Sequence, residues 1–157
     1  MNNTEEYKKA KNESEPLCID ALNCPNKRFE IAVKGNIEQD KCLHIDIVVY
    51  DNIERVFACI DVKHVNVDNI KSKNYSLSSH FKDFFERHPS KNHWLAFRLT
   101  DDEKMLDEFL CAKTLDVLNQ CSLKKETNKK TDKSYFLVNI DDVKQNCKDI
   151  VLLKLDY

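Results

Sequence analysis

Seven cysteines and five histidines are the side chains in this 157-residue chain best suited to chemistry. A thiolate beside an imidazole would make a nucleophile, and the same two residue types bind zinc. Cys42, Cys59, Cys111 and Cys147 all sit in apolar patterns, where a free thiol behaves as a small core hydrophobe. His88 and His93 have a spacing seen among zinc ligands, but no C-x-x-C pair accompanies them and Pro89 breaks the segment between. The sequence therefore predicts no catalytic residue, no metal and no cofactor. The one glycine, Gly35, excludes the glycine-rich phosphate loops and the G-x-S-x-G nucleophile turn, each of which needs several glycines.

Composition narrows the class further. With 41% hydrophobic and 33% charged residues, the chain suits a single globular domain. At this length it buries about two-thirds of its unfolded surface. The net charge of -2 argues against nucleic acid as a partner, because phosphate binding needs a basic footprint. No apolar run approaches the roughly 18 residues of a membrane span. The N-terminus has no apolar signal core, and the odd cysteine count at irregular spacings argues against a disulfide framework. The expected setting is intracellular (cytoplasmic or nuclear) and reducing, with no membrane contact.

The elements that would position any site follow from periodicity. Residues 1–15 are polar and read as a disordered tail, leaving 16–157 as one domain. Strands are predicted over Arg28 to Lys34, Cys42 to Tyr50 and Val56 to Val62, the last two as an antiparallel hairpin. A short helix is predicted near Val67 to Lys73. A clearer one over Ser76 to Arg87 places Leu77, Phe81, Phe84 and Phe85 on one stripe. His88-Pro89 ends it, and a strand over His93 to Leu99 follows. Thr100 to Glu103 has capping-box form, so a helix is predicted to carry Met105, Leu106, Phe109, Leu110, Leu115, Val117 and Leu118. The segment 122–134, with five lysines, reads as a solvated loop. A short strand over Tyr135 to Ile140 and a last helix over Val143 to Leu153 complete the pattern.

This order resembles the BTB/POZ family. The pattern S-x-x-F-x-x-[hydrophobic]-F is matched by Ser78 to Phe85. Leu99-Thr100-Asp101 stands where the family has L-x-D, Phe109-Leu110 where it has a helical F-L pair, and Asn139 to Val143 is similar to the entry to its fourth helix. The usual F-x-x-H-[KR] entry to the first helix is missing, since His64 to Asp68 reads HVNVD. The resemblance implies an α+β fold, BTB/POZ-like, with a small antiparallel sheet and helices packed against it.

It also implies function: an adaptor or oligomerisation module that is not an enzyme, working through protein partners. These would be a second copy or a hetero-complex, with a cullin scaffold of the ubiquitin pathway among the candidates. Phe84-Phe85-Glu86 looks like the hydrophobic-x-Glu signature of cullin-binding members. The expected protein-interaction residues are Phe84, Phe85, Glu86, Arg87 and Trp94. Core packing is the competing role for both phenylalanines and for Trp94. A pleckstrin-homology-like domain binding a peptide or lipid headgroup is the alternative, suggested by the Trp94 strand and the helix expected after it.

Overall fold

The computed structural model describes residues 3–23, 31–36, 43–50, 55–63, 73–101 and 106–155. Among them the order is α1 (Asn3–Leu22), β1 (Ile31–Lys34), β2 (Ile47–Tyr50), β3 (Val56–Lys63), β4 (Asn74–Ser78), α2 (Ser79–Arg87), β5 (His93–Asp101), β6 (Leu106–Lys113), α3 (Thr114–Gln120), β7 (Lys124–Thr127), β8 (Ser134–Asn139), α4 (Ile140–Asn146) and β9 (Val151–Lys154). The fold is α+β.

A six-stranded sheet, in the order β1-β2-β3-β5-β6-β9, forms the frame, and a three-stranded sheet, β4-β8-β7, stands beside it. Neighbours in the large sheet are antiparallel except β3 and β5, which run parallel from Cys59↔His93 to Lys63↔Phe97. Side chains alternate between the two sheet faces, and each face has its own core. Ile47, Val49, Ala58, Ile60, Val62, Ala96 and Phe109 pack with Cys18 and Leu22 of α1. Leu95, Phe97, Leu110 and Ala112 pack on the other side with Phe81 and Phe85 of α2, Val117 of α3 and Val143 of α4.

Several expectations are corrected here. The polar N-terminal segment is helical from Asn3, not a disordered tail. Its Glu, Lys and Ala residues are good helix formers, and Cys18 and Leu22 at its far end anchor it to the sheet. The helix expected behind Thr100 is instead the β5–β6 hairpin, with Thr100 itself on β5 facing Asp107. Met105, Leu106, Phe109 and Leu110 fit a helical stripe, but a short apolar run fits a strand buried on both faces equally well. Pairing with β5 and β9 decides for the strand, and helix begins only at Thr114. The last helix stops at Asn146 and the chain returns as β9, antiparallel to β6. The lysine-rich loop contains β7, held by pairing Lys124 to Thr127 with Leu137 to Ser134 of β8.

Other expectations hold with altered bounds. The β2–β3 hairpin is present, though β2 starts at Ile47. Helix α2 starts at Ser79, where the Ser78 hydroxyl accepts from the Phe81 amide at 3.0 Å, an ordinary N-cap. The short helix near Val67 and the acidic end of the capping box lie outside the described residues.

Candidate active site at the junction of β2 and β3

Asp46 immediately precedes β2, and Asp61 and Lys63 close β3. Residues two apart on a strand share a face, so Asp61 and Lys63 project together, and Lys63 Nζ lies 3.0 Å from Asp61 Oδ2. The hairpin brings Asp46 alongside: its amide donates to the Ile60 carbonyl at 2.8 Å, and its Oδ2 accepts from the Val62 amide at 2.8 Å. Asp46 and Asp61 are only 5% and 8% exposed, and their carboxyls hydrogen-bond each other.

Gly35 helps to set this geometry. Its amide donates to the Asp46 carbonyl at 2.7 Å, and a Cβ at this position would sit 2.6 Å from the Ile45 carbonyl oxygen. Any larger residue would therefore push on the backbone that carries Asp46.

The electrostatics are those of crowded carboxyl groups beside one ammonium. Burial alone would raise the Asp61 carboxyl. The Lys63 ammonium and the hydrogen bond from Asp46 outweigh it, so the net shift is downward. Glu15, buried on α1, adds a further carboxyl nearby. Both it and Asp46 act electrostatically on the Cys18 thiol, which burial already pushes well up. Lys63 Nζ also lies 4.6 Å from the Phe81 ring centroid, a cation–π contact that fixes the ammonium from the α2 side.

His93 forms the wall behind the carboxylates. It opens β5, is 2% exposed, and contacts the His44 carbonyl through Nε2 (2.7 Å) and the Thr114 hydroxyl through Nδ1 (2.5 Å). A carbonyl can only accept, so Nε2 carries the proton and Nδ1 accepts from Thr114. Burial pulls the imidazole down to about 4. His44 turns its carbonyl toward His93 from a left-handed conformation (φ 55°). Its ring packs 5.2 Å from Phe81 and 5.1 Å from Phe84. On the other face, Arg98 holds Asp107 through two bonds (3.1 and 2.8 Å) and donates to Ser14 at 3.1 Å, tying α1 to β5 and β6.

The residues named from sequence lie elsewhere. Phe85 is 2% exposed inside the α2 core. Phe84 is half-buried against the same core, Glu86 is exposed and paired with Lys82, and Arg87 is exposed at the end of α2. Trp94 is half-buried on the α1 side of the sheet. Sequence reading missed Asp46, Asp61, Lys63, Glu15 and the structural role of His93. One signal was present: Asp61-Val62-Lys63 puts two charges on one face at the end of an otherwise apolar strand. As for nucleophilic cysteines, burial raises Cys18, Cys59, Cys121 and Cys147, with Cys147 reaching about 12. Such thiols are weakly ionised at neutral pH and poor nucleophiles.

No family model matches the chain, and no curated protein matches it. Among solved structures, D212, a nuclease from a fusselovirus, superposes with a TM-score of 0.51 over 91% of this chain and 89% of that one, at 11% identity. What the two share is the fold. This finding overturns the adaptor or oligomerisation reading, its pleckstrin-homology-like alternative, and the expectation that the chain is not an enzyme. The architecture along nine-tenths of the chain is one that carries a nuclease. Those readings rested on an order of helices that the β5–β6 hairpin replaces. Among the described residues, no helix is long and apolar enough to cross a membrane.

Proposed function

We propose that the chain is a divalent-cation-dependent nuclease, with Asp46, Asp61 and Lys63 at its centre. The carrying observation is the buried pair of hydrogen-bonded carboxyls with one ammonium 3.0 Å from Asp61. Two carboxyls that hydrogen-bond each other share a proton, and a divalent cation would displace it and leave both as carboxylate ligands. Among the described residues no three His, Cys, Asp or Glu side chains form a ready cage. The donor set instead fits a Mg²⁺-like ion, which takes one or two carboxylates and completes its shell with water and substrate phosphate oxygens.

A bound divalent cation would supply a Lewis acid and a more acidic water at neutral pH. The chain's own residues account for the rest. Asp46 and Asp61 are held rigid by the Val62 amide and by Lys63, so they bind and orient rather than move. Lys63 presents an ammonium to the charge that grows on the phosphoryl oxygens as water attacks phosphorus. In that step the new P–O bond forms, one ester P–O bond breaks, and the leaving oxygen takes up a proton. The Phe81, Phe85 and His93 rings keep bulk water from the inner side of the group. Likeness of fold to a fusselovirus nuclease supports the reading. A net charge of -2 does not oppose it, because binding depends on where the charges lie.

The BTB/POZ resemblance keeps one support, the Ser78-capped helix with Phe81 and Phe85 buried. Its helical F-L pair falls on β6, and the functional reading does not draw on it.

Incubating the protein with labelled single- and double-stranded DNA and RNA, with Mg²⁺ or Mn²⁺ and with chelator, tests the proposal. Cleavage should require the cation. Asp61→Asn and Lys63→Met should each lower the rate by about 10²-fold or more, an oxyanion-type loss, while retaining a cooperative melt. No cleavage of any of these substrates by the folded wild type, or equal cleavage by the variants, would overturn it.

A further inference from the structure

A second surface lies at the opposite end of β3 from Asp61 and Lys63. Arg55, Phe57, Lys91, Trp94 and Lys113 line an open groove of about 470 Å³. Its cations come from three places, ahead of β3, in the turn before β5 and at the end of β6, and converge around two aromatic rings. Phe57 is 48% exposed and borders the groove beside Trp94. Lys113 Nζ lies 5.7 Å from the Trp94 ring centroid and 3.4 Å from Asp149, which itself is exposed. Among the described residues, no acidic side chain lines the groove itself.

We propose that this groove is a binding track for single-stranded nucleic acid; its place in catalysis rests on the nuclease reading. Three cations suit a phosphate backbone. Rings of Phe57 and Trp94 offer faces on which unstacked bases can lie, a sequence-tolerant mode of holding a single strand. A duplex keeps its bases stacked and cannot use them.

Trp94 is the only tryptophan, so its fluorescence reports the groove directly. Titration of the full chain with an oligothymidylate in chelator, which prevents cleavage, should quench it. The affinity should fall with salt, with a log–log slope of about -2 for three phosphate contacts and about -0.7 once two are removed. Lys91→Ala with Lys113→Ala should weaken binding about tenfold or more and slow cleavage of single strands. Phe57→Ala, which leaves the charges in place, should weaken binding about tenfold without changing the salt slope. A matched duplex should bind more weakly and leave Trp94 unquenched.

Unchanged Trp94 fluorescence, equal quenching by duplex, or full affinity in the double lysine variant would overturn the groove. The first or third of these together with cation-dependent cleavage would leave the nuclease reading standing. Quenching and salt dependence without any cleavage would keep the groove and remove the nuclease reading.

Discussion

At the scale of single residues, the site depends on groups whose usual ionisation is displaced by burial, as at His93, or by a neighbouring charge, as at Asp61. His93 shows the consequence most directly. Its folded-state value of about 4 lies below the ordinary 6.5, so the folded protein binds fewer protons than the unfolded chain between those values. The stabilising difference is fully present above pH 6.5 and is lost as pH falls toward 4. The shift corresponds to about 3 kcal/mol. Urea midpoints of the wild type should fall steeply between pH 6.5 and 4.5, whereas His93→Gln, which titrates nowhere in this range, should flatten that dependence. A parallel decline in both proteins would assign the acid sensitivity to the carboxylates. Asp61 responds in the opposite sense in charge but the same direction in pH. Its lowered value makes it stabilising above the ordinary carboxylate range, with that contribution lost in stronger acid.

Between residues and the whole molecule, helix α2 separates two roles that its phenylalanines could play. Phe85 is buried among Phe81, His93 and the sheet. Phe84 sits at the margin, in edge contact with Phe85 and His44. Phe85→Ala should therefore cost about 3–5 kcal/mol, the range for emptying a large core position. Phe84→Ala should cost clearly less, since its partners keep their other contacts and water can enter. Chemical denaturation of both variants checks this ordering, and a reversal would mean that α2 is turned on the sheet. The helical stripe of Leu77, Phe81, Phe84 and Phe85 was legible in sequence because burial on one face imposes that spacing. Leu77, however, reaches the same core from strand β4. The hairpin at β6 was not legible, because an apolar run buried on both sides carries no period to distinguish strand from helix. Arg98 and Asp107, diagonal neighbours that clamp β5 to β6, come within reach only once that register exists.

Across the whole molecule, the site couples α1, β2 and β3, so a cation bound there should stabilise the entire domain. A cation that binds only the folded form adds RT ln(1 + [L]/Kd), about 1.4 kcal/mol at tenfold excess over Kd. Mg²⁺ or Mn²⁺ should raise the melting temperature by a few degrees, and chelator should reverse the change. Asp46→Asn should abolish the response, although it keeps an oxygen to accept from the Val62 amide. An unaltered melt in millimolar cation would place the binding constant beyond that range or remove the metal from the reading.

The sequence by itself determined the α+β class, the β2–β3 hairpin, the aromatic face of α2 and the absence of glycine-rich phosphate loops. These follow from local periodicity and composition, which the chain carries wherever it folds. Tertiary structure decided that Asp46, fifteen positions from Asp61, shares a hydrogen bond with it. It also decided that Phe109-Leu110 lies in a strand, that Trp94 lines a basic groove, and that α1 extends through a polar tail. The physical reason is the same in each case. A carboxylate on a strand is unremarkable until pairing in the sheet removes its water and sets a second carboxylate beside it. Only the register of β2 against β3, and of β3 against β5, turns separate charged residues into one buried site.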